Sequence, residues 1–221
     1  MSNRSETLQL RHVALTATLG LAAVAWAVAL RQMDGMDMGV TTQLGSFVPF
    51  LAVWVSMMAA MMLPGAVPAV VGHTQASGSV RAVPLFVGSY LAVWTLVGIA
   101  VYVGDRPHES VAAGALVIAA GVYELTPLKQ RFRRKCQASV RSGFEFVLNC
   151  VGSSIGLMVL LVAMGVMSVT WMAAIAVVIG AQKLLPASAA IDVPLALAIV
   201  GLGILIVTAP SSIPGLTSPP M

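Results

Sequence analysis

Seven apolar stretches dominate this chain, and few charged residues interrupt them. A helix that spans a bilayer needs about 20 mostly apolar residues, which is close to the length of most of these stretches. Each span must satisfy its own backbone hydrogen bonds in lipid, so we predict an all-α fold, a polytopic transmembrane helical bundle. The predicted spans are 12–30, 47–71, 83–103, 110–125, 145–167, 169–186 and 190–209. Because the fourth stretch is short and the sixth directly follows the fifth, six spans are the alternative to seven.

The composition excludes several classes of protein. Only 9% of the 221 residues are charged and 58% are hydrophobic, whereas a soluble domain carries about 25% charged residues. The net charge of +4 results from 12 Lys and Arg residues against 8 Asp and Glu residues. Membrane topology already requires these basic residues, so no nucleic-acid partner is predicted. Two cysteines cannot build a disulfide framework. No hydrolase, nucleotide-binding or zinc-protease motif is present, and we predict that the protein is not an enzyme.

The basic residues predict the orientation, since cytoplasmic loops of membrane proteins are enriched in Lys and Arg. With a cytoplasmic N-terminus, ten of the 12 basic residues lie inside, and only Arg31 and Arg106 lie outside. Seven spans then leave the C-terminus outside. The ten inner residues are Arg4, Arg11, Arg81, Lys129, Arg131, Arg133, Arg134, Lys135, Arg141 and Lys183.

The two ends of the chain allow separate predictions. Arg4 and Arg11 precede an apolar stretch that ends near Ala27-Val28-Ala29, a pattern similar to a signal peptide. The apolar stretch is long for a signal peptide, which favours an uncleaved first span. Residues 1–209 are expected to form a single transmembrane domain, and the Pro/Ser-rich residues 210–221 a disordered tail.

The predicted outer loop after the first span is rich in methionine and aspartate. Thioethers are soft ligands that select Cu(I), and neighbouring carboxylates attract the cation or hold Cu(II). The alternative is a loop that enters the membrane interface, where its methionines contact lipid. The residues of this Met/Asp loop that predict a metal site are Met33, Asp34, Met36, Asp37 and Met38.

The second span carries four more methionines on the same broad face as Trp54, about one turn before Pro64. We expect Pro64 and Pro68 to kink or unwind the helix and to free backbone carbonyls for a ligand. The face is a candidate path for a metal ion, and ordinary packing against other spans is the alternative. This methionine face consists of Met57, Met58, Met61 and Met62.

Further ligand types lie near the predicted cytoplasmic side. Thiolates and imidazole, from Cys136, Cys150 and His73, together suit Cu(I) or Zn(II). No C-x-x-C or H-x-x-x-H spacing supports a site, so the alternative is that the two thiols and the imidazole never meet.

Two remaining ionisable residues are weaker candidates. A carboxylate at membrane depth, such as Glu124, suggests a functional role, and pairing with Lys129 or another basic residue is the structural alternative. His108 in an outer loop adds an imidazole to the Met/Asp loop if the two loops meet, and a solvated turn is the alternative.

Several motifs cover most of residues 50–186 in a fixed order. They are Trp54-x-x-Met57-Met58-x-x-Met61-Met62-Leu63-Pro64-x-x-x-Pro68, Phe86-x-Gly88-x-Tyr90-Leu91-x-x-Trp94, Gly121-x-Tyr123-x-Leu125-Thr126-Pro127-Leu128-Lys129, Cys136, Cys150, Met158, Met167-x-x-x-Trp171-Met172 and Lys183-Leu184-Leu185-Pro186. In these motifs the chain resembles a bacterial domain-of-unknown-function family described as predicted metal-binding integral membrane proteins. The resemblance implies a multi-pass protein of the bacterial cytoplasmic (inner) membrane that binds a metal ion.

Members of that family often carry more cysteines near the positions of Cys136 and Cys150, where this chain has Phe132, Ser153 and Ser154. The methionines are kept, which shifts the predicted cargo toward copper. The leading hypothesis is therefore a membrane protein that binds, transports or delivers a copper ion, with a copper enzyme or chaperone as its partner. A non-catalytic subunit or assembly factor of a larger complex or oligomer is the first alternative. A proton-coupled small-solute transporter that uses Glu124 is the second.

Overall fold

The computed structural model describes residues 2–34, 45–104, 110–138, 143–164, 169–185 and 188–209. All regular secondary structure within these ranges is α-helical, which confirms the predicted all-α fold class. The eight helices are α1 (Ser2–Met33), α2 (Phe47–Ser77), α3 (Ala82–Gly104), α4 (Ser110–Leu125), α5 (Pro127–Ala138), α6 (Gly143–Ala163), α7 (Val169–Leu184) and α8 (Ala189–Thr208).

Five of these helices are long and apolar enough to cross a membrane, namely α1, α2, α3, α6 and α8. Helices α4 and α5 together form a bent pair that raises the number to six if the pair is one span. Each of the seven predicted spans corresponds to a helix. The length criterion gives fewer than seven spans because α4 and α7 have only 16 residues each.

Helix α5 corrects one prediction, since the basic segment after the fourth span was expected to be a loop. Pro127 stands at the first helical position, where its missing N–H costs nothing. The Oγ1 atom of Thr126 accepts a hydrogen bond from the backbone N–H of Lys129 at 3.3 Å, which caps the new helix. The chain bends by 63° between α4 and α5. The buried residues of α5, which recur at helical spacing, are Lys129, Arg133 and Cys136.

Helix α2 continues through Pro64 and Pro68, so the expected unwinding does not occur. Proline lacks the backbone N–H that, in an α-helix, donates a hydrogen bond to the carbonyl four residues earlier. The carbonyls of Ala60 and Pro64 therefore lack their normal helical donor. The helix also extends beyond the predicted end at residue 71, which places His73 within its last turns rather than after it.

The helices form two groups. In the first helix group, α2 packs against α1, α3 and α7. In the second, α4 packs against α8 and α6, and α5 packs against α6. Contacts of α6 with α3 and α7, and of α5 with α7, join the two groups. Two aromatic contacts add to this interface, with the ring of Phe146 5.5 Å from that of Phe86 and 6.1 Å from that of Tyr90.

Small residues bring α4 and α8 close together. A Cβ atom added at Gly203 would lie 2.8 Å from the backbone nitrogen of Ile118 and 3.0 Å from the backbone oxygen of Gly114. Such a close backbone approach is typical of helices that associate in lipid. Gly152 and Gly156 also allow close contacts of α6, since an added Cβ atom would meet the Phe132 ring at Gly152 and the side chains of Tyr123 and Glu124 at Gly156.

The outer surface of the bundle carries large apolar side chains. Val48 on α2, Leu85 on α3 and Val177 on α7 are 73%, 74% and 72% exposed. Exposed apolar surface of this extent marks a membrane or a protein partner rather than a solvated face.

Candidate metal site

The methionine face lies in the core of the protein. The side chains of Met57, Met58 and Met62 are fully buried, and Met61 is 2% exposed. The indole N–H of Trp54 donates a hydrogen bond to the carbonyl of Trp94 at 2.9 Å, which sets the rotation of α2 against α3. The predicted common face of the four methionines is thus turned toward protein.

The described part of the Met/Asp loop is the end of α1. Met33 is buried and belongs to the same core as Met57, whereas Asp34 is exposed. The Oγ of Ser56 donates a hydrogen bond to Oε1 of Gln32 at 2.8 Å. This contact places the end of α1 beside the start of the methionine face. Met36, Asp37 and Met38 lie outside the described residues, as do His108 and the predicted tail.

The structure brings the two cysteines together, so the alternative that the two thiols and the imidazole of His73 never meet is wrong for the thiols. The thiols of Cys136 on α5 and Cys150 on α6 lie close enough to interact directly, and both residues are buried. Cys150 Sγ also lies 3.0 Å from the phenol oxygen of Tyr90 on α3. Ser153, one turn further along α6, donates a hydrogen bond from its Oγ to the Cys150 carbonyl at 2.9 Å.

Lys183 on α7 connects these thiols to the methionine face. Its ammonium nitrogen lies 3.6 Å from Met62 Sδ and 3.2 Å from the Tyr90 oxygen, to which it donates hydrogen bonds. It also lies near the Cys150 thiol. Met62 and Cys150 are thus both neighbours of the Lys183 ammonium, and Cys136 is a neighbour of Cys150. We call Met62, Cys136 and Cys150 the sulfur cluster.

A cavity of about 430 Å³ adjoins the sulfur cluster. It is lined by α2 from Gly65 to Ala69 and by parts of α5, α6 and α7, including Cys136, Ser153 and Lys183. Exposed Gln137 also lines it, so the cavity opens to the surface. A thiol of the sulfur cluster can thus be reached from outside.

Two other candidates in the described ranges, His73 and Glu124, have different partners. The ring of His73 packs against Phe86, with centroids 5.5 Å apart. Glu124 is fully buried, forms an ion pair with Lys129 and accepts a hydrogen bond from Gln182 at 2.9 Å. The structural alternative for Glu124, pairing with Lys129, therefore agrees with the structure.

A second buried ion pair holds α5 in place. The guanidinium of Arg133 pairs with Asp192 at the start of α8, and it donates hydrogen bonds to the carbonyls of Gln182 at 2.7 Å and Leu185 at 3.1 Å. These contacts hold α5 against the end of α7 and the start of α8. Cys136 is one turn further along α5, so Arg133 fixes the helix that carries this thiol.

Sequence reasoning missed Lys183, Tyr90 and Arg133 as members or supports of this site. Lys183 and Arg133 contributed to the predicted topology, and Lys183 and Tyr90 to the family motifs, but none of the three was assigned to a site. The available signal was the position of Lys183 just inside the end of an apolar stretch, where a charge is costly unless it has partners.

The donor set is soft. Among the residues that the structure describes, no three His, Cys, Asp or Glu side chains come together as a metal site. The sulfur donors that the structure places in this region are the Met62 thioether and the two thiols. Thiolate and thioether ligands together favour Cu(I) over hard cations.

A family model described as PpoB2, a copper chaperone, matches residues 51–206, which is more than half of the chain. This chain belongs to the PpoB2 copper chaperone family. The match agrees with the predicted metal-related family and identifies the metal of the family as copper. No curated protein and no solved structure matches the chain.

The PpoB2 match extends from α2 to α8 and contains every residue of the sulfur cluster. It does not include α1 or the Met/Asp loop. The part of the chain that carries the family relationship is therefore the part in which thioether and thiol sulfur converge.

Proposed function

We propose that this PpoB2 protein is a membrane-embedded copper chaperone whose cargo, Cu(I), binds at the sulfur cluster. The observation that carries the proposal is the convergence of Met62, Cys136 and Cys150 from three helices on one buried position. Membership of a copper chaperone family supports copper as the metal, and the soft donor set supports Cu(I) as its oxidation state.

The methionine face and the Met/Asp loop form a path to that cluster. Met57 and Met62 are five residues apart on α2, which corresponds to about 7.5 Å along the helix axis. Met33 and Asp34 stand at the outer end of this path, and Met36, Asp37 and Met38 are proposed to complete a capture site there. Neutral thioethers hold copper weakly enough to pass it on, whereas a closed site of four thiolates retains its metal.

The protein is proposed to cross the bacterial inner membrane seven times, with the N-terminus in the cytoplasm and the C-terminus outside. Its apolar outer surface and the unequal distribution of Lys and Arg support this arrangement. The short helices α4 and α7 then cross a locally thinned bilayer. In this orientation the sulfur cluster lies toward the cytoplasmic end, where α2 and α7 end and α3 and α6 begin.

The proposed activity is binding and delivery without catalysis. The sequence has no ATP-binding motif, and a copper enzyme or another chaperone is the proposed recipient. The buried pairing of Glu124 with Lys129 gives this carboxylate a structural role. It therefore offers no support for a solute transporter that uses Glu124.

The test is Cu(I) binding by the purified full-length protein in detergent under anaerobic conditions. Stoichiometry and affinity are measured with a chromogenic Cu(I) competitor, and X-ray absorption reports the ligand atoms. We expect tight binding with a shell of sulfur neighbours. A triple variant, Met62→Leu/Cys136→Ser/Cys150→Ser, is expected to lose the tightly bound ion.

Met164→Leu is the matched control, because Met164 is also buried but lies 14 residues beyond Cys150 along the chain, about 21 Å away along a helix. A Met-to-Leu change nearly conserves volume and costs less than about 1.5 kcal/mol of stability. A folded triple variant that binds Cu(I) as tightly as the control contradicts the proposed site. A second variant with Leu at all seven methionines, from Met33 to Met62, tests the path.

A further inference from the structure

The position among the soft ligands already holds a cation. The Lys183 ammonium is the group that contacts Met62 Sδ, the Tyr90 oxygen and Cys150 together. It also lies over the Tyr90 ring, 5.8 Å from the centroid. Both ion pairs in the described ranges use other partners, Lys129 with Glu124 and Arg133 with Asp192. Lys183 is thus a half-buried ammonium held by sulfur and phenol groups.

Gly65 on α2 leaves room for the aliphatic part of the Lys183 side chain. A Cβ atom added at Gly65 would overlap Cδ of Lys183 and lie 3.4 Å from its Cβ and Cγ. Glycine at this position, directly after Pro64, therefore lets the stem cross the α2 backbone toward Met62. The position of the ammonium is a consequence of the packing of α7 on α2.

The ammonium and copper cannot occupy this position together. A thioether is a weak partner for an ammonium ion but a favourable ligand for Cu(I). Both ions carry one positive charge, so the exchange of ammonium for Cu(I) conserves charge, and each thiol that becomes a thiolate ligand releases its proton to solvent. A divalent ion adds a charge and meets twice the repulsion from any cation that stays nearby.

The cavity beside the sulfur cluster gives the ammonium a place to go. Lys183 itself lines this cavity of about 430 Å³, together with the polar side chains of Ser153 and Gln137. The four-carbon stem of lysine is flexible, and its compact ammonium is readily hydrated. A rotation of the stem moves the charge from the sulfur cluster into the open cavity.

We propose that Lys183 is a cation built into the copper site, which Cu(I) displaces on binding and which returns when copper leaves. This inference rests on the proposed function, since it concerns the same site. In the copper-free site the ammonium occupies the position that another cation would take next to the sulfur ligands. It thereby favours a monovalent ion as cargo.

Two variants of Lys183 test the proposal in the full-length protein. Lys183→Gln removes the competing charge and is expected to bind Cu(I) about tenfold more tightly or better. It should also bind Cd(II), a soft divalent ion, with a smaller preference for Cu(I). Lys183→Arg keeps the charge on a bulkier group and is expected to bind Cu(I) no more tightly than the wild type.

A second measurement uses the wild-type chain and does not depend on the variants. The chain has three lysines, so acetylation of Lys183 by an amine-reactive reagent can be mapped by mass spectrometry, with exposed Lys135 as the internal control. Loading with Cu(I) is expected to raise labelling of Lys183 severalfold without changing that of Lys135.

The outcomes separate the two proposals. If the wild type binds Cu(I) but Lys183→Gln has the same affinity, or if labelling of Lys183 does not change on loading, the displaced-cation proposal is overturned and the proposed function stands. If the wild type binds no Cu(I), the proposed function fails, and this inference fails with it.

Discussion

The thiols of Cys136 on α5 and Cys150 on α6 lie side by side, although 14 positions separate the two residues in the chain. The two residues belong to helices of different character, one basic and amphipathic and the other almost entirely apolar. Cys136 lines a cavity that opens to the surface, and Cys150, the other cysteine of the protein, is fully buried beside it. The Cys136 thiol is thus reachable, and its neighbour is the Cys150 thiol.

The thiol pair should close to a disulfide under mild oxidation. Diamide accepts two electrons and two protons from the two thiols, and we expect a monomeric product that has lost both alkylation sites. Bound Cu(I) should slow this reaction because the sulfur atoms are then ligands. Mass spectrometry after alkylation measures the outcome, and Cys136→Ser, which cannot close the bond, is the control. Two free thiols after treatment of the copper-free protein contradict the contact.

Glu124→Gln should destabilise the protein strongly. The change leaves the fully buried Lys129 without its carboxylate partner, a loss that typically costs about 3 to 5 kcal/mol. Denaturant unfolding in detergent measures the free energy. Lys135→Gln, on the exposed side of the same helix α5, is expected to change it by less than about 0.5 kcal/mol. Equal stabilities of the two variants are incompatible with a structural ion pair.

Arg133→Met should release α5 from α7 and α8. The change removes the pairing with Asp192 and two hydrogen bonds to backbone carbonyls, and the expected cost is about 3 to 5 kcal/mol. The released helix carries Cys136, so alkylation of this thiol should become faster. Arg134→Met, a change at the exposed neighbour, should leave both the stability and the alkylation rate near wild type. An unchanged alkylation rate in Arg133→Met argues against the docking role.

Two glycines of α8 should respond in opposite directions to alanine. At Gly203 an added Cβ meets the backbone of α4, and we expect a loss of about 1 to 3 kcal/mol. At Gly201 nothing lies within 4 Å of the added atom. Alanine there should stabilise the helix by up to about 1 kcal/mol because it loses less backbone entropy than glycine. Thermal unfolding of both variants checks the sign, and a loss at Gly201 equal to that at Gly203 contradicts the packing of α4 on α8.

The helices themselves were largely predictable from the sequence. Apolar length determines where a chain can be helical in lipid, and the bounds of α3, α4 and α8 agree with the predicted spans within one residue at each end. Helix α5 was missed because its charge favours a loop on composition alone. Its start was visible in Thr126-Pro127, a typical cap followed by a proline suited to the first turn.

The candidate site was only half predictable. Helical periodicity placed four methionines on one face of α2, and the structure buries all four. The meeting of Cys136 with Cys150 depends on how α5 docks against α6, which no local spacing reveals. Lys183 was counted as a topology signal because a single sequence does not show which helix faces its side chain. Tertiary packing, rather than any motif, creates the sulfur cluster.

The residues of the sulfur cluster come from both helix groups, and this has a thermodynamic consequence. Met62 and Lys183 belong to the first helix group, whereas both thiols belong to the second. A metal ion at the proposed site would bind ligands from both helix groups. It would therefore favour the relative orientation of the two groups that brings those ligands closest together. By reciprocity, anything that tilts one group against the other, such as a docking recipient, alters the hold on the metal by the same free energy.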